Sequence, residues 1–232
     1  LMRLGVTTDT QDMSGTILTE SAVHVNGSEV RDAVMGFVGG YEQVPPMYSA
    51  LKVNGKKLYE LAREGREIER QPRHVDITFI RITGMDLPEV RFEVGCSKGT
   101  YIRTLCADIG DKLGCGAVMA ELKRTRVGNF RIEDSIRLSK VEELMRQGEY
   151  EDYIIHPDSM FMEYEGAAVK PEAESALLNG NKLYPQQLDP DSPVFFADGD
   201  RIRVYNGRRE FRAVYTYVKS EGVFKPFKMF LE

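Results

Sequence analysis

The chain has 232 residues, 42% of them hydrophobic, enough to bury one full core and a second small one. No run approaches the roughly 18 consecutive apolar residues of a membrane span. Leu1-Met2-Arg3-Leu4-Gly5 lacks the apolar stretch and cleavage site of a secretion signal, so a soluble, cytoplasmic protein without membrane contact is expected. A formal net charge of -5 argues on average against a polyanionic partner, but the average conceals a segregation of charge.

In chain order, Val30, Ala33, Val34, Phe37 and Val38 recur at helical spacing, which predicts an amphipathic helix stopped by Gly39-Gly40. Residues 44–52 contain Pro45 and Pro46, which exclude helix and central strand alike, so an extended surface connection is expected. Across residues 52–73, Lys52, Lys56, Lys57, Arg63, Arg66, Arg70 and Arg73 outnumber Glu60, Glu64, Glu67 and Glu69. Leu58, Leu61 and Ala62 offer a narrow apolar stripe for a short helix that is unstable in water by itself. The expectation is a mobile basic insertion at about residues 45–73 that gains order on an RNA; an inert protruding loop is the alternative.

Residues 75–82 and 90–94 alternate apolar and polar side chains, the period of half-buried strands, with turn chemistry at Gly84 and Pro88 between them. They are expected to pair antiparallel. Ser97-Lys98-Gly99-Thr100 then leads into a helix carrying Leu105, Ile109 and Leu113 and stopped by Gly114. Ser139 and Glu142 form a capping-box signature for a helix through Leu144 and Met145, and Pro171 starts another that ends at Asn179-Gly180. Beyond this the period shortens. Residues 194–196, 202–205, 211–218 and 223–230 are short β runs, with Asp198-Gly199 and Asn206-Gly207 in turn positions, so a small β-barrel is expected from about residue 165.

Charge follows this organisation. Residues 149–174 carry Glu149, Glu151, Asp152, Asp158, Glu163, Glu165, Glu172 and Glu174 against Lys170 alone. Across residues 97–131, Lys98, Arg103, Lys112, Lys123, Arg124, Arg126 and Arg131 outnumber Asp108, Asp111 and Glu121. Concentrated basic charge suits a polyanion, with ordinary solvated charge on helix faces as the alternative. Cys96, Cys106 and Cys115 form no CxxC pair and His24, His74 and His156 show no ligand spacing, so reduced thiols and no metal are expected.

Four segments carry a resemblance: residues 4–12, Leu-Gly-Val-Thr-Thr-Asp-Thr-Gln-Asp; residues 45–52, Pro-Pro-Met-Tyr-Ser-Ala-Leu-Lys; residues 96–105, Cys-Ser-Lys-Gly-Thr-Tyr-Ile-Arg-Thr-Leu; and residues 122–128, Leu-Lys-Arg-Thr-Arg-Val-Gly. Read together, in this order and spacing, they resemble the TruB family of tRNA pseudouridine synthases over residues 1–137. The β runs at the end are more loosely similar to that family's RNA-binding PUA-like domain. The resemblance implies an α+β fold: a mixed or antiparallel-sheet pseudouridine synthase body, incomplete, over residues 1–160, then a PUA-like barrel over 165–232.

It also implies an activity: isomerisation of uridine 55 in the tRNA T loop to pseudouridine, without cofactor or metal, by a protein that is a monomer when intact. The family's catalytic aspartate lies in a Gly-x-x-Asp-Pro-x-x-Thr-Gly type motif that these 232 residues do not contain. The chain is therefore expected to be a fragment that binds the T stem-loop of tRNA without turning over alone. By resemblance Arg103 pairs with that aspartate, as a guanidinium holds a carboxylate bidentately in its ionised form. Tyr101 meets the extruded nucleotide and Leu122 lines the uracil pocket; the alternatives are a core-facing Tyr101 and a Leu122 that ends a helix. Lys98, Lys123, Arg124 and Arg126 neutralise phosphates, and Tyr48 and Lys52 contribute from the Pro-Pro segment. Two rivals share these residues: an RNA-binding module without chemistry, and a guide-RNA-dependent relative, against which the Pro-Pro-Met-Tyr-Ser-Ala-Leu-Lys stretch and basic insertion favour the stand-alone type.

Overall fold

The structure is a computed structural model that describes residues 1–53, 55–191 and 196–230. It divides into two compact units, Leu1–Ser135 and Ile136–Glu232. Sequence places the change of domain at residues 160–165; the structure divides the chain between Ser135 and Ile136.

In the first unit, β1 (Met2–Leu4), β2 (Val6–Thr8) and β3 (Ile17–Glu20) precede α1 (Gly27–Met35) and β4 (Gly39–Gln43). The short strands β5 (Lys52–Val53) and β6 (Lys56–Lys57) lead into α2 (Leu58–Arg63). Then come β7 (Arg73–Asp86), β8 (Glu89–Cys96), α3 (Ile102–Lys112), β9 (Ala117–Met119), β10 (Arg126–Val127) and β11 (Phe130–Arg131). The main sheet has the order β4-β7-β8-β1-β9, every pair antiparallel. Alternation decides which face is buried: Met2 and Leu4 point into the core while Arg3 between them is exposed. Val30 and Val34 of α1 and Leu105 and Ile109 of α3 close over Ile77, Ile80 and Val90 of the sheet. α3 lies so close to the turn before β9 that a Cβ on Gly110 would sit 2.1 Å from the Ala117 nitrogen, so only glycine fits there.

Several sequence expectations shift. Asn26 caps α1 with a reciprocal Glu29 contact, and the helix ends at Met35, leaving Phe37 and Val38 in a turn. Gly39-Gly40 does not stop the helix; it opens β4, an edge strand. Gly84 lies inside β7 at a register shift, and the reversal into β8 is made at Leu87-Pro88. The basic arm forms a β5–β6 hairpin followed by α2, whose Leu58 and Leu61 are 1% and 5% exposed. Its stripe is thus buried in the protein alone, against the expectation of an unanchored arm. Cations of Lys57 and Arg63 lie 5.3 and 5.4 Å from the Tyr59 ring centre.

The second unit begins with α4 (Leu138–Gln147), capped by Arg137 without a side-chain hydrogen bond. Ser139 and Glu142 both fall inside this helix, so the expected capping box does not form. Next come β12 (Glu165–Ala168), α5 (Glu174–Leu178), β13 (Arg201–Tyr205), β14 (Phe211–Val218) and β15 (Val223–Met229). The last four strands form a sheet β12-β13-β14-β15, in which only β12 and β13 are parallel. Leu183 bridges to Phe224 on β15 and Leu188 bridges to Val169 just after β12, so one short segment links the two edges of the sheet. Ile202, Val204, Ala213, Tyr215 and Phe224 fill the interior with Leu177 of α5. Of the expected strand at 194–196, residues 194 and 195 lie outside the described residues.

Candidate functional site

Arg103 sits in the first turn of α3, where the chain leaves β8 through the Ser97-Lys98-Gly99-Thr100 loop. Its Nη1 donates to Asp12 Oδ2 at 3.2 Å and its Nη2 donates to the Tyr48 carbonyl oxygen. Both charged side chains are 20% exposed, so the pair is shielded from most of the solvent that weakens surface ion pairs. A guanidinium carries five N–H donors, and these contacts use two of them.

Asp12 is held firmly. Its Oδ1 accepts from the Ser14 backbone at 3.0 Å, from the Ser14 hydroxyl, and from the Thr10 hydroxyl at 3.0 Å. Burial works to raise its pKa, but the hydrogen bonds from Ser14, Thr10 and Arg103 outweigh burial and hold the carboxyl below the usual value. The Met13 amide donates to the Met119 carbonyl at 3.1 Å, and the Met119 amide returns a bond to Gln11 at 3.1 Å, so this turn is stitched to β9. Gln11 adopts φ 63, a conformation non-glycine residues rarely take, and its Oε1 accepts from the buried Thr104 hydroxyl at 2.7 Å. The first turn of α3 is therefore tied to residues 11–12 at two successive positions.

Tyr101 is the N-cap residue of α3 and is partly buried; among the described residues its hydroxyl has no hydrogen-bond partner. Tyr48 reaches the cluster through its carbonyl, while its hydroxyl donates to Asp9 Oδ2 at 3.5 Å. Arg103, Tyr101 and Tyr48 are thus brought together. Lys98 is exposed in the loop before α3, and Lys52 is exposed on β5. Leu122 is 55% exposed in an irregular segment after β9, not at the end of a helix, because the chain stays extended from β9 to β10. Lys123 and Arg124 share that exposed segment, and Arg126 is exposed on β10 with its Nε donating to the Gly128 carbonyl at 2.8 Å.

Sequence reasoning missed three contributors. Asp12 and Thr104 lay inside quoted motifs but had no role, and Gln43 stood unremarked just before the Pro-Pro segment. No local signal marks their place in the site, since the contact that joins each to it spans more than 50 residues. Among the described residues no group of three or more His, Cys, Asp or Glu side chains could hold a metal ion.

The first unit thus sets an arginine, anchored at the start of α3, beside an antiparallel sheet against which α1 and α3 pack. Solved structures agree on the fold: a Cbf5–Nop10–Gar1 complex superposes with a TM-score of 0.59 at 24% identity, over 100% of this chain and 63% of that one. An H/ACA ribonucleoprotein bound to a substrate RNA containing 2'-deoxyuridine gives 0.60 at 21% identity, over 100% of this chain and 64% of that one. The model of the TruB family pseudouridylate synthase N-terminal domain matches residues 1–102, and that of the tRNA pseudouridylate synthase B C-terminal domain matches residues 103–162. Curated tRNA pseudouridine synthase B proteins from Clostridium novyi and Clostridium acetobutylicum are 45% and 47% identical, each over 90% of this chain and 70% of its own length. That from Burkholderia mallei is 40% identical over 97% of this chain and 73% of its own length. The chain belongs to the TruB family of pseudouridylate synthases, which are isomerases.

Proposed function

We propose that the intact protein isomerises uridine 55 in the T loop of tRNA to pseudouridine, in the cytoplasm and as a monomer, with the T stem-loop as its binding partner. The observation that carries this reading is the Arg103 guanidinium, anchored by Asp12 and the Tyr48 carbonyl at the start of α3 with Tyr101 beside it. A base inside folded RNA must leave its stack before chemistry, at a cost of a few kcal/mol that a shaped pocket has to offset. Tyr101, whose hydroxyl has no partner among the described residues and which is partly buried, is suited to the extruded base, and Leu122 to its apolar edge.

Asp12 acts as an anchor for Arg103: its Oδ1 accepts from Ser14 and Thr10, which fixes the carboxylate whose Oδ2 accepts from the guanidinium. The remaining N–H donors of Arg103 are available to a second carboxylate, the family's catalytic aspartate. The 232 residues themselves contain no Gly-x-x-Asp-Pro-x-x-Thr-Gly stretch, and for them alone we propose RNA binding without turnover. Lys98, Lys123, Arg124, Arg126 and Lys52 supply phosphate contacts, and residues 165–232 act as a PUA-like RNA-binding domain; the edge-linked sheet of the second unit supports that reading.

The test is pseudouridine mapping on unmodified tRNA treated with the intact protein. Conversion of the T-loop uridine, lost when that uridine is replaced by cytidine, is expected. Conversion elsewhere, or none, overturns the reading.

A further inference from the structure

We propose that Gln43 is a positioning residue for the isomerisation: its side-chain amide clamps the backbone of Tyr101 and so sets the helix turn that presents Tyr101 and Arg103 to the RNA. This rests on the reading of the site given above. Gln43 is the last residue of β4 and is 1% exposed. Its Oε1 accepts from the Tyr101 amide at 2.8 Å and its Nε2 donates to the Tyr101 carbonyl at 3.1 Å. The second Nε2 hydrogen goes to the Tyr41 hydroxyl, two residues back on the same strand. Every polar group of this buried amide is satisfied, and pairing with both backbone groups of one residue permits a single amide orientation.

The location gives the clamp its consequence. α3 starts without a side-chain cap from its own N-cap residue, Tyr101. Five pairs of residues join β4 to β7, so Gln43 ties the helix start to a rigid sheet. Arg103 follows two residues later, and its distance from any substrate is fixed by where that first turn sits. A displacement of about 1 Å at reacting groups is enough to cost on the order of 100-fold in rate. Binding of the RNA, spread over many phosphate contacts, depends far less on it.

Gln43→Met keeps the size and removes all three hydrogen bonds. In the intact enzyme it is expected to lower the single-turnover rate at saturating tRNA about 10- to 100-fold, with tRNA Kd changed less than about threefold. Gln43→Glu is the second variant. Its buried carboxyl cannot donate to the Tyr101 carbonyl when ionised but does so when protonated, and burial favours protonation. The ratio of its rate to wild type is therefore expected to rise at least about fivefold from about pH 8 to pH 6. Asp108, which lies beside Tyr41, also titrates and would be coupled to the introduced carboxyl through Tyr41, so both rates are compared in an Asp108→Asn background. A wild-type enzyme without isomerase activity overturns the site reading and this inference together. An active wild type with a folded Gln43→Met variant of equal single-turnover rate overturns the inference alone, as does a pH-independent ratio for Gln43→Glu, which decides the matter if Gln43→Met does not fold.

Discussion

Arg103 and the arginines of residues 121–131 lie in the same unit and belong to the same basic stretch of sequence, yet the structure treats them in opposite ways. Arg103 is 20% exposed and paired with a carboxylate. Residues 121–130 are exposed throughout, and among the described residues Lys123, Arg124, Arg126 and Arg131 make no ion pair. A charge removed from water needs a counter-charge and fixed geometry, and such geometry can hold a reacting carboxylate. A charge left in water keeps its counterions to release on meeting a phosphate. Under the proposed function, one run of Lys and Arg serves two purposes, and burial separates them.

The comparison breaks most visibly at Arg103. In the intact enzyme, Arg103→Ala should slow single turnover by roughly 30-fold to several thousand-fold, the equivalent of losing a buried charge-assisted pair worth about 2–5 kcal/mol. Arg103→Lys should restore part of the rate, since an ammonium keeps the charge and loses the two-pronged geometry. A wild-type rate for Arg103→Ala at saturating tRNA would place Arg103 among the phosphate contacts. Asp12→Asn should follow with a smaller loss, about 10- to 100-fold, because the Tyr48 carbonyl still holds one arm of the guanidinium. An unchanged single-turnover rate for Asp12→Asn would remove Asp12 from the positioning of Arg103.

A third environment sharpens the contrast. Asp108, also on α3, is half-buried and makes no ion pair among the described residues; desolvation, aided by Asp111 and opposed by a hydrogen bond from Tyr41, pushes its pKa up to about 6. Because the folded value exceeds the unfolded one, the site favours folding while protonated, below about pH 4, and that advantage is lost as pH rises through about 6. Asp108→Asn abolishes the titration. It should raise stability by about 1–2 kcal/mol near neutral pH, allowing for solvent screening, with the gain shrinking towards pH 4. Thermal unfolding at both ends of that window decides it: a Tm difference of constant size would have another origin.

How much of this was legible in sequence depended on how local the cause was. The strands of residues 75–82 and 90–94 and the helix through Leu105 and Ile109 declared themselves by period, because burial of one face writes itself into successive residues. Arg103, Tyr101 and Tyr48 were reachable through the family motifs. The anchoring contacts were not: those of Asp12, Gln43 and Thr104 with the start of α3 or with residue 11 form only when the fold brings residues 11–12, 43 and 101–104 together. The end of α1 at Met35 and the missing capping box of α4 failed for the opposite reason, since local signals at Gly39 and Ser139 were overruled by where the chain had to turn. The buried stripe of α2 was underestimated because Leu58 and Leu61 alone decide it.

The smallest effect tests the exposed side of the comparison. Arg124 makes no ion pair or hydrogen bond among the described residues, whereas Arg126 also donates to the Gly128 carbonyl within the β10–β11 hairpin. If both act on phosphates, each change to Ala should weaken tRNA binding only a few-fold and reduce the slope of log affinity against log salt by about one. Neither should alter single-turnover rate once tRNA is saturating if both act on phosphates alone. Arg124→Ala is the cleaner of the two, since Arg126→Ala also loosens the hairpin and could weaken binding without touching a phosphate. Titrations at several salt concentrations separate these causes: a lost phosphate contact changes the slope, whereas a loosened hairpin shifts the affinity with the slope unchanged. An Arg124→Ala protein with wild-type slope would mean that exposure and charge on this segment are not sufficient to mark an RNA contact.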